Sequence, residues 1–405
     1  MMSDKTIAYI LAEFPSYTET FILREILFMD KFFPIYIIAL RKRKRHFDMY
    51  QNKIQKANLI YITPFIFLKA FVFHLFYGCR EKDCLLKWKT ILKDIQKLNM
   101  RDSLHQVKLL VISTYIVKII KQKSISHIHA HFANYPTDVA MLVSELSKIP
   151  FSFTAHAHDI YVNPQNHVKK IDLSAFVVTC TRYNKRVLSS MASDSVQKKI
   201  YLSYHGVDCT FWKNNSLKKM QNGKQILFIG RLIEKKGIIY LLEAIQQLIK
   251  LDPSIQLIIV GKGKNERKLK ATCRLLGIQK NVTFKGWQNP QQIKHLYVDS
   301  DIFVLPSIIA SNGDRDGIPN VLLEAMASGT PVISTPVSGI TEVILHEYNG
   351  LLVPERDSNR LANAIFALLK NETYGRYLSK NALDVVRQKF DSEKCNQFLR
   401  SLFEK

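Results

Sequence analysis

Residues 311–335 read SNGDRDGIPNVLLEAMASGTPVIST, and the fold can be worked out from them. Pro319 stands where a helix would begin, because its missing N–H is one that no helix start uses. Gly329 stands where that helix would end in a left-handed residue, and Pro331 stops any continuation. Between them Val321, Leu322, Leu323, Ala325, Met326 and Ala327 leave no polar stripe, so the spacing predicts a buried helix. Glu324 is its one charge, and a buried carboxylate is costly unless something hydrogen-bonds it. Asp316 and Gly317 precede the helix N-terminus, where free N–H groups and the dipole attract anions. The stretch therefore predicts a site for a phosphorylated ligand that carries hydroxyls. The plain alternatives are Asp316 as a helix cap and Glu324 in a structural salt bridge.

Around this stretch, strands are read at 225–229, 255–260, 281–285, 301–305, 331–334 and 350–353, with helical patterns between most of them. That alternation predicts a doubly wound parallel sheet with its ligand site at the carboxyl ends of the strands. The first half repeats the α/β pattern, with strands at 5–12, 35–40, 125–131 and 151–161, a strand then helix at 174–188, and a last strand leading out over 200–212. A polar segment follows, and the boundary is placed near 206–223. At 405 residues the chain suits two domains of about 200 residues each.

Gly230-Arg231-Leu232 ends the first strand of the second half, and Lys235-Lys236-Gly237 opens its helix. Arg231 and Lys236 on one loop can grip the two phosphates of a nucleoside diphosphate and stabilise the charge that develops when it leaves. A solvated basic turn is the alternative. Gly261-Lys262-Gly263 suggests a dinucleotide fingerprint but has Glu266 where the third glycine belongs. Asp314-x-Asp316 matches a motif that holds metal-nucleotides, yet Arg231 and Lys236 already supply countercharge, so no metal is expected. His127, His129 and His131 alternate along one strand, as do His156 and His158 along another. No flanking acid or cysteine completes a ligand set there, so no zinc centre is expected. The six cysteines show no metal or redox spacing, which suits a reducing compartment. The opening MMSDKTIAYILAEF is too short an apolar run for a signal peptide.

The formal charge of +24 is unevenly spread: residues 31–123 hold 20 Lys and Arg against 5 Asp and Glu, a surplus of +15. Nucleic acid, an anionic membrane surface, or a merely solvated face would each suit such a patch. Within it, Arg41-Lys42-Arg43-Lys44-Arg45 precedes the apolar run 59–77, which Pro64, Lys69 and His74 interrupt. A buried helix, an in-plane membrane helix and a transmembrane segment stay open as readings of that run.

The Asp316-to-Glu324 spacing resembles the acid-x7-acid signature of the retaining glycosyltransferases of family 4. Gly230–Gly237 resembles that family's second signature, G-R-L-x-x-x-K-G, and PSYTETFI at 15–22 resembles its exopolysaccharide and colanic-acid subgroup. The resemblance implies the GT-B fold, two Rossmann-like parallel-sheet domains facing each other across a cleft. It suggests a domain 1–205 with an insertion at about 41–123, a nucleotide-sugar domain 206–380, and a last helix 381–405 returning toward the first domain. The implied activity is transfer of a sugar, with retention, from a UDP- or GDP-sugar to a lipid-linked or oligosaccharide acceptor in surface polysaccharide biosynthesis. No cofactor is implied.

By the same resemblance, Glu324 holds the ribose, and Gly286 and Trp287 lie at the base pocket. Arg231, Lys236 and the backbone of Gly317, Ile318, Pro319, Asn320 and Val321 hold the diphosphate. Asp316, where the family usually has Glu, flanks the reacting sugar with His156. The family is usually discussed as front-face displacement in which the leaving phosphate helps deprotonate the acceptor. Many members have a Gly-rich loop at 14–20; none is present here, and Ser16 and Thr18 are given no role. Competing readings are a sugar-nucleotide epimerase of the same fold and a basic nucleic-acid-binding protein, which would explain the charge but not the motifs at strand ends. The expected partners are a nucleotide-sugar donor, a glycan or polyprenyl-linked acceptor and an anionic membrane surface met through 41–123, with no nucleic acid. The expected location is cytoplasmic, peripheral on the inner face of the cytoplasmic membrane.

Overall fold

A computed structural model describes residues 5–16, 19–42, 58–63, 69, 72, 100–162, 164–213 and 224–405. The chain divides into two compact units, one of Met1–Thr179, Lys185–Ser203 and Phe398–Lys405, the other of Cys180–Asn184 and Tyr204–Gln397. Each is built on one parallel sheet.

In the first unit β1 (Ile7–Leu11), β2 (Ile35–Ala39), β3 (Leu59–Tyr61), β4 (His127–His131), β5 (Phe151–Ala155), β6 (Phe176–Thr179) and β7 (Ile200–Leu202) lie in the order β3-β2-β1-β4-β5-β6-β7. Both faces are covered, which is why β1 and β2 are apolar throughout instead of alternating. Ala8 and Ile10 pack with Leu110, Ile116 and Ile120 of the helix Met100–Gln122. Ile7, Tyr9 and Leu11 pack on the opposite side with Ile22, Leu23, Ile26 and Met29 of the helix Thr20–Met29, and with Phe403. Lys5 Nζ donates to the carbonyls of Phe403 at 3.0 Å and Glu404 at 3.1 Å.

Three expectations are corrected here. Leu59–Tyr61, the start of the apolar run 59–77, is an edge strand in which Leu59 is paired with Ile37. Most of the rest of that run, Arg43–Arg45, and much of the 41–123 segment lie outside the described residues. Among the described residues no helix is long and apolar enough to cross a membrane. The strand expected at 151–161 stops at Ala155, and His156 caps the short helix Ala157–Tyr161. His156 and His158 therefore do not alternate on a strand: the first is buried, the second exposed. The strand at 200–212 likewise ends at Leu202, and Asp208 caps the helix Cys209–Trp212 by accepting from the Phe211 N–H at 2.8 Å.

In the second unit β8 (Gln225–Ile229), β9 (Gln256–Val260), β10 (Val282–Gly286), β11 (Ile302–Leu305), β12 (Val332–Ser334) and β13 (Leu351–Leu352) lie in the order β10-β9-β8-β11-β12-β13, all parallel. The order reverses between β8 and β11. Loops leaving adjacent strands at such a reversal diverge and leave a crevice at the carboxyl edge, where open α/β sheets bind ligands. The two loops there are the Arg231–Lys236 loop and the acidic loop ahead of residue 320.

Candidate functional site

Those loops are joined at three consecutive residues. Glu234 accepts from the N–H and hydroxyl of Ser311 at 2.8 and 3.0 Å. Lys235 Nζ donates to Asp314 Oδ1 at 2.9 Å and to the Arg315 carbonyl at 3.2 Å. Lys236 Nζ donates to Asp316 Oδ2 at 2.8 Å, and the Ser307 hydroxyl donates to the same oxygen at 2.7 Å. The sequence assigned Lys236 and Asp316 to different tasks; the structure makes them a buried ion pair, with Lys235 at 3.6 Å from the other oxygen.

Burial alone would raise the Asp316 pKa. The Lys236 and Lys235 charges and the two hydrogen bonds outweigh it and hold the carboxyl at about 2. Burial draws the Lys236 pKa down, Asp316 opposes that, and Lys235 and Arg231 add to it. Arg231 is exposed, and among the described residues it has no ion-pair partner. The cluster thus holds three cations against Asp314 and Asp316, with one guanidinium uncommitted. Both acids of the Asp314-x-Asp316 motif already carry lysine partners. Lys235 and Ser307 are the residues that sequence reasoning missed, although the tandem lysine before Gly237 was a signal.

The helix after this loop is Asn320–Ala327, with Pro319 at its N-cap, one residue earlier in role than expected. Gly329 closes it at φ +75°. Glu324 is buried, and Tyr297 is the partner that sequence reasoning missed: its hydroxyl donates to the Val321 carbonyl at 2.8 Å and lies 3.4 Å from Glu324 Oε2. Burial, with the Glu324 charge, holds the Tyr297 phenol well above its usual value, so it stays a donor.

Gly261-Lys262-Gly263 has a structural task. Gly261 has φ +130°, and a Cβ there would stand 1.9 Å from the Gly230 carbonyl oxygen; one on Gly263 would stand 2.3 Å from that of Leu232. The Leu232 N–H donates to the Lys262 carbonyl at 3.0 Å, and the Gly261 N–H to that of Gly286 at 2.7 Å. These glycines let three strand-end loops meet backbone to backbone, which fixes Arg231. Gly286 sits at φ +65°, and Trp287 beside it is 48% exposed at the same carboxyl edge.

In the first unit, His156 is buried at the cap of its helix, with its ring against Phe132 at 4.3 Å and Phe21 at 5.2 Å between centroids. Its Nε2 lies 3.3 Å from His131 Nδ1. The acid absent from the sequence neighbourhood is supplied by the helix Thr20–Met29: Glu25, His129 and His131 bring donor atoms within 4.8 Å of one another. Both nitrogens of both histidines already have protein partners, His129 on Ser152 and Thr154, His131 on Glu25 and His156. That donor set suits a hydrogen-bonded core and not a metal. Glu25 was legible in principle, because it shares a helix face with Ile22 and Met29.

Residues 212–385 match the family described as glycosyl transferases group 1. WcaL of Escherichia coli (strain K12), a candidate colanic acid biosynthesis glycosyltransferase, is 34% identical over 210 residues, covering 51% of this chain and 52% of WcaL. AmsK of Erwinia amylovora, an amylovoran biosynthesis glycosyltransferase, is 38% identical over 148 residues, covering 36% of each. The match to WcaL thus spans about half the length of that relative, and the match to AmsK about a third. The crystal structure of Anabaena HepE in complex with UDP and glucose is 17% identical, with a TM-score of 0.74 over 99% of each chain. With two parallel sheets of this order, that likeness shows the GT-B fold. The chain thus has the GT-B fold, and its residues 212–385 are similar to the group 1 glycosyl transferases.

Proposed function

We propose that the chain transfers a sugar, with retention and without a metal, from a UDP- or GDP-sugar to a glycan or polyprenyl-linked acceptor during assembly of a surface polysaccharide. The observation that carries this reading is the cluster of Arg231, Lys235 and Lys236 at the reversal of the second sheet, beside the loop that leads into the Glu324 helix. The likeness to the polysaccharide biosynthesis glycosyltransferases WcaL and AmsK, and the UDP and glucose held by HepE, support the substrate class.

In this reading Arg231 and Lys236, with the backbone of Gly317 to Val321, hold the diphosphate. Glu324 takes the ribose, Trp287 lies by the base, and Asp316 and His156 contact the reacting sugar. The bond between the anomeric carbon and the diphosphate oxygen breaks, and its electron pair leaves with the diphosphate. The acceptor oxygen bonds to the same face of that carbon, and its proton passes to the leaving oxygen. Fixed cations stabilise the charge that develops there, which is the service a metal would otherwise supply.

A thermal-shift screen of UDP- and GDP-sugars tests the reading, because a ligand that binds only the folded state raises Tm. One donor class is expected to raise it. Glu324→Gln is expected to weaken the free nucleoside diphosphate by about 10-fold or more, on the scale of a charge-assisted hydrogen bond. Asp316→Asn is expected to cut turnover, and because Asp316 is the buried partner of Lys236 it is expected to lower stability as well. Wild-type turnover in both variants would refute the assignment.

The +15 surplus over 31–123 is proposed to meet an anionic membrane surface. At roughly 1 kcal/mol per basic residue near such a surface, a few contacts suffice. Sedimentation with anionic vesicles is expected to fall as salt rises, and to fall further when Arg41, Arg43 and Arg45 are replaced by Ser. Equal binding to neutral vesicles at every salt concentration would contradict it.

A further inference from the structure

The buried histidines of the first unit form a chain whose polarity is set at both ends. Glu25 Oε1 accepts from the Tyr9 hydroxyl at 3.0 Å and from His131 Nε2 at 3.1 Å. Burial and the adjacent carboxylate keep Tyr9 a phenol, so it donates. An oxygen that serves two donors accepts only, so His131 carries a proton on Nε2, and in its neutral form it presents a bare Nδ1. That Nδ1 faces His156 Nε2 at 3.3 Å, which must then be the protonated nitrogen. At the far end the His156 side chain accepts from the backbone N–H of Asp159, which can only donate.

The surroundings hold this arrangement still. Asp159 is a clamp: one oxygen accepts from the His156 N–H at 2.9 Å and the other from the Ala133 N–H, which joins the loops after β4 and β5. Lys170, fully buried, donates to the Ala133 carbonyl at 2.7 Å and pairs with Asp138 at 2.8 Å. Between the loops, Phe132 sits at φ +73° with its ring on His156. Left-handed backbone at a bulky residue costs about 1–3 kcal/mol and persists only where neighbours enforce it. Its occurrence against this imidazole marks the position as one the fold is built to hold. His131 is also flanked by the Tyr9 ring, stacked at 5.9 Å, and by His129, edge-on at 5.3 Å with both nitrogens on hydroxyls and burial keeping it neutral.

We propose that Glu25 and His131 are positioning residues for sugar transfer, which lock His156 as a neutral Nε2–H imidazole that acts by placement and not as a proton carrier. The proposal rests on the reading above that His156 contacts the reacting sugar. A carboxylate that orients one histidine through another gives the second ring a single tautomer and a single plane. Removing the outer partner of a metal-bound histidine typically changes metal affinity or activity by roughly 10- to 100-fold, and the same scale is expected for this pair.

The test is the ring nitrogen spectrum of ¹⁵N-histidine-labelled full-length protein, with His131 and His156 assigned through single His→Gln variants. Both are expected as Nε2–H tautomers near neutral pH; an Nδ1–H form or an imidazolium at either overturns the proposal. Glu25→Leu is expected to lower kcat roughly 10- to 100-fold with little change in donor KM, and to mix the tautomers. Glu25→Gln, whose amide oxygen can accept both donors, is expected to recover most of that loss. If Glu25→Leu does not fold, the wild-type spectrum and Glu25→Gln still decide. Wild-type turnover in His156→Ala overturns the proposal through its premise, and the tautomers then show whether the chain itself was misread.

Discussion

Lys236→Ala is expected to lose about 3 kcal/mol of stability, whereas Arg231→Ala keeps that of the wild type. Both contribute cations to the same loop, so sequence alone would treat them alike. The difference is that Lys236 is buried against Asp316 at 2.8 Å, while Arg231 is exposed. Removing one partner of a buried pair leaves the other charge stranded, at a typical cost of about 3–5 kcal/mol. Lys235 at 3.6 Å and the Ser307 hydroxyl remain, which places the expectation at the lower end. Turnover should fall in both variants, by roughly 10- to 150-fold each if each supplies a charge-assisted hydrogen bond to the diphosphate. Urea unfolding and donor kinetics on the same preparations check this. Equal stability of the two variants would show that the pair contributes nothing. The pair also has a pH signature. Asp316 titrates at about 2, below its ordinary 3.8, so its contribution is full above about pH 4 and is lost as pH falls toward 2.

Gly261→Ala is expected to lower stability by about 4 kcal/mol and to abolish nucleotide binding. The position combines φ +130° with a Cβ that would lie 1.9 Å from the Gly230 carbonyl oxygen. Backbone strain there costs about 1–3 kcal/mol, and forced displacement of packed atoms adds a similar amount. The displaced atoms belong to the residue before Arg231, so the phosphate loop moves with them. Gly277→Ala is the control, because Gly277 has φ +69° with nothing within 4 Å of its added Cβ. It should show strain alone, about 1 kcal/mol. Matching melting temperatures for the two variants would remove the argument from close approach.

The contrast between Gly261 and Arg231 shows what a sequence discloses. Strand runs such as QILFI at 225–229 and QLIIV at 256–260 are continuous, β-branched and bounded by glycine, so the second sheet was legible to within a residue. The lysine loop and the acid loop were each legible as well. Their union was not, because Lys236 and Asp316 are 80 residues apart and only the strand order brings them together. A glycine required by a ligand and one required by a neighbouring backbone look the same in a sequence, so Glu266 could argue against a dinucleotide fingerprint at Gly261-Lys262-Gly263 without revealing the structural task. The alternation AHAH at 155–158 suits a strand as well as a strand end capped by His156, and only Asp159, three residues on, hinted at the cap. Glu25 was legible as a buried position on its helix, but its partners Tyr9 and His131 come from two separate strands.

Phe403 has a consequence for the order in which the molecule can be made. Its ring packs on Tyr9, His127, His129 and Phe176, and Lys5 holds the carbonyls beside it. In a nascent chain β1 is made long before residue 403, which follows the whole second unit. Until then one face of the first sheet carries an open aromatic surface around buried imidazoles, the kind of surface that chaperones recognise. The second unit draws only the five residues Cys180–Asn184 from outside its continuous span Tyr204–Gln397. Vectorial synthesis therefore lets the second unit mature while the first waits for the helix Ser392–Glu404.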